Sequence, residues 1–139
     1  MSDVKTAGYS GKPLFQKLGF KPGFRVGLRA APAHYPDLLA GAEGVDFVDE
    51  GGALDAVHLF LHGPEGIASA AAAALADLRE GGMLWISWPK KPSKLFCGVT
   101  EDDLRTAVLP LGWVDVKVCA VDADWSGLKF LKRKAAGRR

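Results

Sequence analysis

The sequence predicts a three-layer α/β domain, doubly wound around a mostly parallel sheet of about six strands that ends in an antiparallel hairpin. Three observations carry that expectation. Strand-like and helix-like segments alternate along most of the chain, the arrangement that lays helices on both faces of a parallel sheet. The run Ala56-Val57-His58-Leu59-Phe60-Leu61 is apolar at nearly every position, as a strand covered on both faces must be. The last two strand-like segments are joined by a link too short for a crossover, so they turn back on each other.

The elements follow in order. Residues 1–22 read as a polar lead-in and a short cap segment, in which Leu14, Phe15 and Leu18 share a helical face until Gly19 ends it. Pro22 and Gly23 turn the chain into a strand over Phe24 to Arg29, and a short helix over Pro36 to Ala40 precedes a second strand at Val45 to Val48. Asp55 opens the strand Ala56 to Leu61. Gly63 and Pro64 then start a helix whose Ile67, Ala71, Ala74, Leu75 and Leu78 recur at helical spacing, with Gly81 and Gly82 as the expected stop. Its many alanines let it lie close to a sheet. Met83 to Trp88 is a strand cut off by Pro89, and Lys90-Lys91-Pro92-Ser93-Lys94 is a basic loop. Thr100 and Asp103 have the spacing of a capping box for a helix carrying Leu104, Ala107, Val108 and Leu111. Strands near Trp113 to Val121 and Leu128 to Arg133 close the chain, joined through Asp122 to Gly127.

The 139 residues, 48% of them hydrophobic, suffice for one core and not two, so 23–134 reads as a single domain and 135–139 as a flexible basic tail. No apolar run approaches the roughly 20 residues of a membrane span. The polar start at Ser2, Asp3 and Lys5 lacks a secretory core, which points to the cytoplasm. Cys97 and Cys119 sit in no CxxC or Cys/His cluster, so neither a zinc site nor a redox motif is signalled.

Several phrases carry a resemblance. Lys21-Pro22-Gly23-Phe24-Arg25-Val26 entering the first strand, Asp55 opening a middle strand, Gly81-Gly82-Met83-Leu84-Trp85-Ile86 and the closing hairpin Gly112-Trp113 to Phe130 resemble class I S-adenosylmethionine-dependent methyltransferases. The likeness spans about residues 20–133 and implies a Rossmann-like sheet. Two departures stand out. The family's acidic-Gly-x-Gly signature is replaced by Ala30-Ala31-Pro32-Ala33, and only about 20 residues separate the first strand from the Asp55 strand, which leaves the fold one strand–helix unit short. Glycines in such a loop permit positive φ and let backbone N–H groups approach a ligand, whereas methyl groups intrude and proline has no N–H to offer. More closely, Gly8 to Leu14, Trp88-Pro89-Lys90-Lys91, Val118 to Asp122 and Trp125 to Leu128 look like a small uncharacterised bacterial domain family, which brings no known activity with it.

Candidate site residues follow from the edge at which doubly wound sheets bind ligands, beyond the carboxyl ends of their strands. The loop with Trp88, Lys90, Lys91, Ser93 and Lys94 offers an aromatic, a hydroxyl and three cations to a phosphate or carboxylate. His34, Tyr35 and His62 follow strands at the same edge, while His58 lies inside a strand and reads as core. Asp122, Asp124, Trp125 and Ser126 sit together in the hairpin turn, where Asp and Ser suit a structural role, with acid/base work or a cation as the alternative for the two carboxylates. Asp49 and Glu50 follow the second strand, where the resemblance implies an acidic partner for a ribose. Histidine spacing gives no metal site, and no serine sits in a hydrolase elbow.

The expectation is a module of methyltransferase-like fold, non-catalytic and without a cofactor, that binds a small anionic ligand or a protein partner and is able to pair as a homodimer through a sheet edge. The alternative is a methyltransferase that takes S-adenosylmethionine at an atypical donor site. Sixteen acidic residues and no reading motif speak against sequence-specific nucleic-acid binding by the basic tail.

Overall fold

The structure, a computed structural model, describes residues 12–134. Among these, six strands form one sheet: β1 (Arg25–Arg29), β2 (Asp46–Val48), β3 (Leu54–Phe60), β4 (Leu78–Pro89), β5 (Trp113–Ala120) and β6 (Trp125–Lys132). Their spatial order is β2-β1-β3-β4-β6-β5. The first four run parallel, and β6 lies antiparallel between β4 and β5. The predicted tail at 135–139 and the lead-in before Lys12 lie outside the described residues. No helix of the described residues is long and apolar enough to cross a membrane.

The helices α1 (Leu14–Leu18), α2 (Tyr35–Leu38), α3 (Ile67–Ala76) and α4 (Glu101–Val108) divide between the two faces. Strand β3 shows why its sequence is apolar throughout. Val57 and Leu59 enter one core with Ala71 and Ala74 of α3 and Leu104 and Val108 of α4, while Ala56 and Phe60 enter the other with Leu18 and Tyr35. Ala71 and Ala74 are fully covered, so the small side chains do bring α3 close to the sheet. The Thr100–Asp103 capping box forms in both directions and starts α4. Gly19, at φ 81°, ends α1 in the left-handed conformation that a side chain disfavours.

Several boundaries differ from the sequence expectation: α3 begins at Ile67 and not at Gly63 and Pro64, α4 ends at Val108 before Leu111, and two further differences have a clear physical reason. The third helix stops at Ala76, and Leu78 is already a strand residue in register with Leu54, whose N–H donates to the Asp77 carbonyl at 2.9 Å. Leu78 satisfies the helical spacing and the strand register equally well, and the main-chain capture by Leu54 decides between them. Gly81 and Gly82 therefore do not end the helix. They lie in an irregularity of β4, where Gly81 takes φ 84° and a Cβ on Gly82 would stand 3.0 Å from the Arg79 carbonyl oxygen. The second difference is in the hairpin. Trp125, Ser126 and Gly127 belong to β6, opposite Pro89, Trp88 and Ser87, because Asp122 Oδ1 accepts the N–H groups of Asp124 and Trp125 at 2.8 Å each and closes the turn early.

Candidate functional site

Strand β1 has β2 on one side and β3 on the other, so the chain leaving β1 and the chain leaving β3 diverge at the carboxyl edge and open a crevice. The loop after β1 contributes Pro32 and His34, and the loop after β3 contributes His62. Strand β4 ends at Pro89, and antiparallel β6 begins beside it at Trp125. These residues and Leu95 of the basic loop line a cavity of about 400 Å³.

Both histidines are anchored. His62 Nε2 donates to the Ala30 carbonyl at 2.8 Å, a bond that straps the loop after β3 to the loop after β1, and its ring meets Trp125 edge-on at 5.2 Å. His34 Nε2 donates to Asp122 Oδ2 at 2.9 Å, with the imidazole about half exposed. Since Oδ1 of the same carboxylate holds the hairpin turn, Asp122 does two jobs: it closes β5 onto β6 and it orients His34. The Trp125 indole is buried, and its Nε1 has no hydrogen-bond partner among the described residues.

Ala30 carries the φ of a glycine. Its φ of 59° lies in the left-handed region, so the fold imposes on alanine a backbone geometry that glycine adopts freely. Ala30→Gly is expected to raise the unfolding free energy by about 0.5 kcal/mol, relief of roughly 1 kcal/mol of strain less the extra chain entropy of glycine. Urea denaturation measures it, and a loss of stability instead would show that Ala30 is not strained.

The other predicted site residues separate. Tyr35 is a core residue, not a cavity wall: it is 2% exposed, and its hydroxyl is 2.9 Å from His58 Nδ1. His58 Nε2 is in turn 2.7 Å from Ser87 Oγ, and burial drives the His58 pKa down to about 3 and the Tyr35 phenol well above its ordinary value. His58 is thus the core histidine that the sequence predicts. Trp88 is also core, and with Lys91 it borders a different depression that includes Phe96 and Thr100. Ser93 is committed to the loop itself, donating to Asp124 Oδ1 at 2.8 Å and accepting from the Leu95 N–H at 2.9 Å. Lys90 and Lys94 stand outside the cavity lining, Lys90 partly buried with its N–H on the Asp124 carbonyl and Lys94 exposed. Asp49 and Glu50 are exposed and away from the cavity, and the Asp49 carbonyl accepts from Arg29 Nη1 at 2.8 Å.

Trp125, Pro32, Pro89 and the orienting role of Asp122 escape sequence reasoning. Prolines and a tryptophan carry no chemical signature of a site, and His34 and Asp122 are 88 residues apart. Among the described residues no cluster of three or more metal-ligating side chains exists.

This architecture is that of a methyltransferase-like fold, one strand–helix unit short. An O-methyltransferase from Thermotoga maritima superposes with a TM-score of 0.60 at 11% identity, covering 95% of this chain and 69% of that one. A SAM-dependent methyltransferase from Aquifex aeolicus gives 0.58 at 12% identity over 84% and 86%. The magnesium protoporphyrin IX methyltransferase of Synechocystis, in a structure with bound SAM, gives 0.56 at 11% identity over 87% and 74%. No family model matches the chain, and no curated protein matches it.

Proposed function

We propose that this protein is a non-catalytic binding module that takes a small ligand with an anionic group at the carboxyl edge of its sheet. The observation that supports this most is the position of the cavity between His34 and His62, at the switch point where doubly wound sheets hold their ligands. Lys90, Lys91 and Lys94 stand on the loop beside it and form no ion pair with an acidic side chain among the described residues. In this reading they supply charge for a phosphate or carboxylate outside the cavity, from the loop that runs between Pro89 and Leu95.

The same residues do not fit S-adenosylmethionine. Pro32 gives no N–H, the His62–Ala30 bond ties together the loops after β1 and β3, and Asp49 and Glu50 lie off the cavity. A donor-dependent methyltransferase, with Asp49 or Glu50 on the ribose, is the second reading, and the fold likeness favours it.

Calorimetric titration separates the two. Inorganic phosphate and a small dicarboxylate are expected to bind more weakly as salt rises, and more weakly to a Lys90→Gln/Lys91→Gln/Lys94→Gln variant. S-adenosylmethionine is expected to give no saturable heat. Micromolar binding of the methyl donor would reverse the order of the two readings.

A further inference from the structure

The hydrogen bonds at the cavity fix which proton each histidine keeps. A backbone carbonyl only accepts, so the 2.8 Å contact from His62 to the Ala30 oxygen places the proton of the neutral ring on Nε2. The carboxylate of Asp122 does the same for His34 at 2.9 Å. In both neutral rings Nδ1 is then a lone pair, with no partner among the described residues. The other lining side chains add no donor that faces open space. Pro32 and Pro89 have no N–H at all, Leu95 is apolar, and the Trp125 Nε1 atom is buried. An anion inside this cavity would meet acceptors.

We infer that the cavity receives a flat, uncharged ring that donates a hydrogen bond through N–H or O–H to one of these Nδ1 atoms, while any anionic group of the same ligand stays outside, at the lysines. Two proline rings, a leucine and an indole form the walls for such a ring, in a volume at the lower end of the range usual for small-molecule sites. This rests on the reading of the carboxyl edge as a ligand site and states which part of the ligand goes where.

Indole and benzofuran test it, because they share size and shape and differ in the single N–H donor. With the full chain at pH 8, each is titrated while the His34, His62 and Trp125 side-chain resonances are followed by NMR. Indole is expected to bind about tenfold more tightly, since benzofuran leaves an acceptor desolvated and unpaired. The preference is expected to shrink in His34→Phe or in His62→Phe, whichever ring accepts the proton, with benzofuran binding retained.

Equal affinities, or a preference for benzofuran, would overturn the donor assignment and leave the ligand site standing. A preference that persists in both variants would overturn it too. If neither ring shifts these three residues, the cavity is not a site and the underlying reading fails with it.

Discussion

Replacing Trp85 with alanine is expected to lower the unfolding free energy by about 3–5 kcal/mol, the range for removing a large buried aromatic side chain. Trp85 is fully buried at the centre of the sheet, opposite His58 of β3 and Lys129 of β6. Its side chain packs in the core shared with Leu18, Phe20 and Tyr35, and its Nε1 donates to the Leu18 carbonyl at 2.9 Å, close to the C-terminus of α1. Gly127 makes room for the ring: a Cβ there would stand 3.2 Å from Trp85 Cε3. Two contributions are therefore separable. Trp85→Phe keeps most of the apolar contact but leaves a buried carbonyl unpaired, for an expected loss of about 1–3 kcal/mol. Urea denaturation gives both values, and hydrogen exchange over residues 14–20 is expected to accelerate in both variants as α1 loses its tie. A Trp85→Ala cost below about 1 kcal/mol would mean that α1 does not depend on this side chain.

How far the sequence foretells such details depends on the range of the interaction. Strand β3 is legible because burial on both faces leaves five consecutive positions, Ala56 to Phe60, with no solvent-facing side, and α4 because a capping box is satisfied within four residues. The end of α3 is not legible. Leu78 suits a fourth helical turn and a strand equally, and only the non-local bond from Leu54 chooses. The site divides in the same way. Topology alone sends His34 and His62 to one edge, since each follows a parallel strand. The fate of Tyr35, one residue from His34, is set by rotation about a short helix that turns one side chain to the cavity and the next into the core. The lysines share a loop with Leu95, yet Leu95 is the residue that reaches the cavity, because the bonds of Ser93 and Lys90 to Asp124 fix how that loop folds over the hairpin.

Acid is expected to destabilise the protein through His58 before ordinary carboxylates titrate. The neutral imidazole is satisfied by one hydroxyl on each side: one ring nitrogen donates and the other accepts, and Tyr35 and Ser87 are able to play either part. A second proton would put an uncompensated charge in the core, stacked on Phe60 at 4.3 Å, and burial accordingly holds the folded pKa near 3. The unfolded chain takes that proton near pH 6.5. Because the unfolded state binds more protons in the window between 6.5 and 3, stability rises with pH there and is lost as pH falls. The stabilisation is fully present above about 6.5. Its loss amounts to about 1 kcal/mol between pH 6 and 5, and to about two to three times that between pH 7 and 4.5. A His58→Phe variant keeps an aromatic ring beside Phe60 and removes the titrating group. It is expected to be less stable at neutral pH, since the Tyr35 and Ser87 hydroxyls lose their partner, and to lack this slope between pH 6 and 5. Denaturation profiles that run parallel for the two proteins would show that His58 is not the group sensing acid, whereas convergence as pH falls is the signature of a core that tolerates the imidazole only while it is neutral.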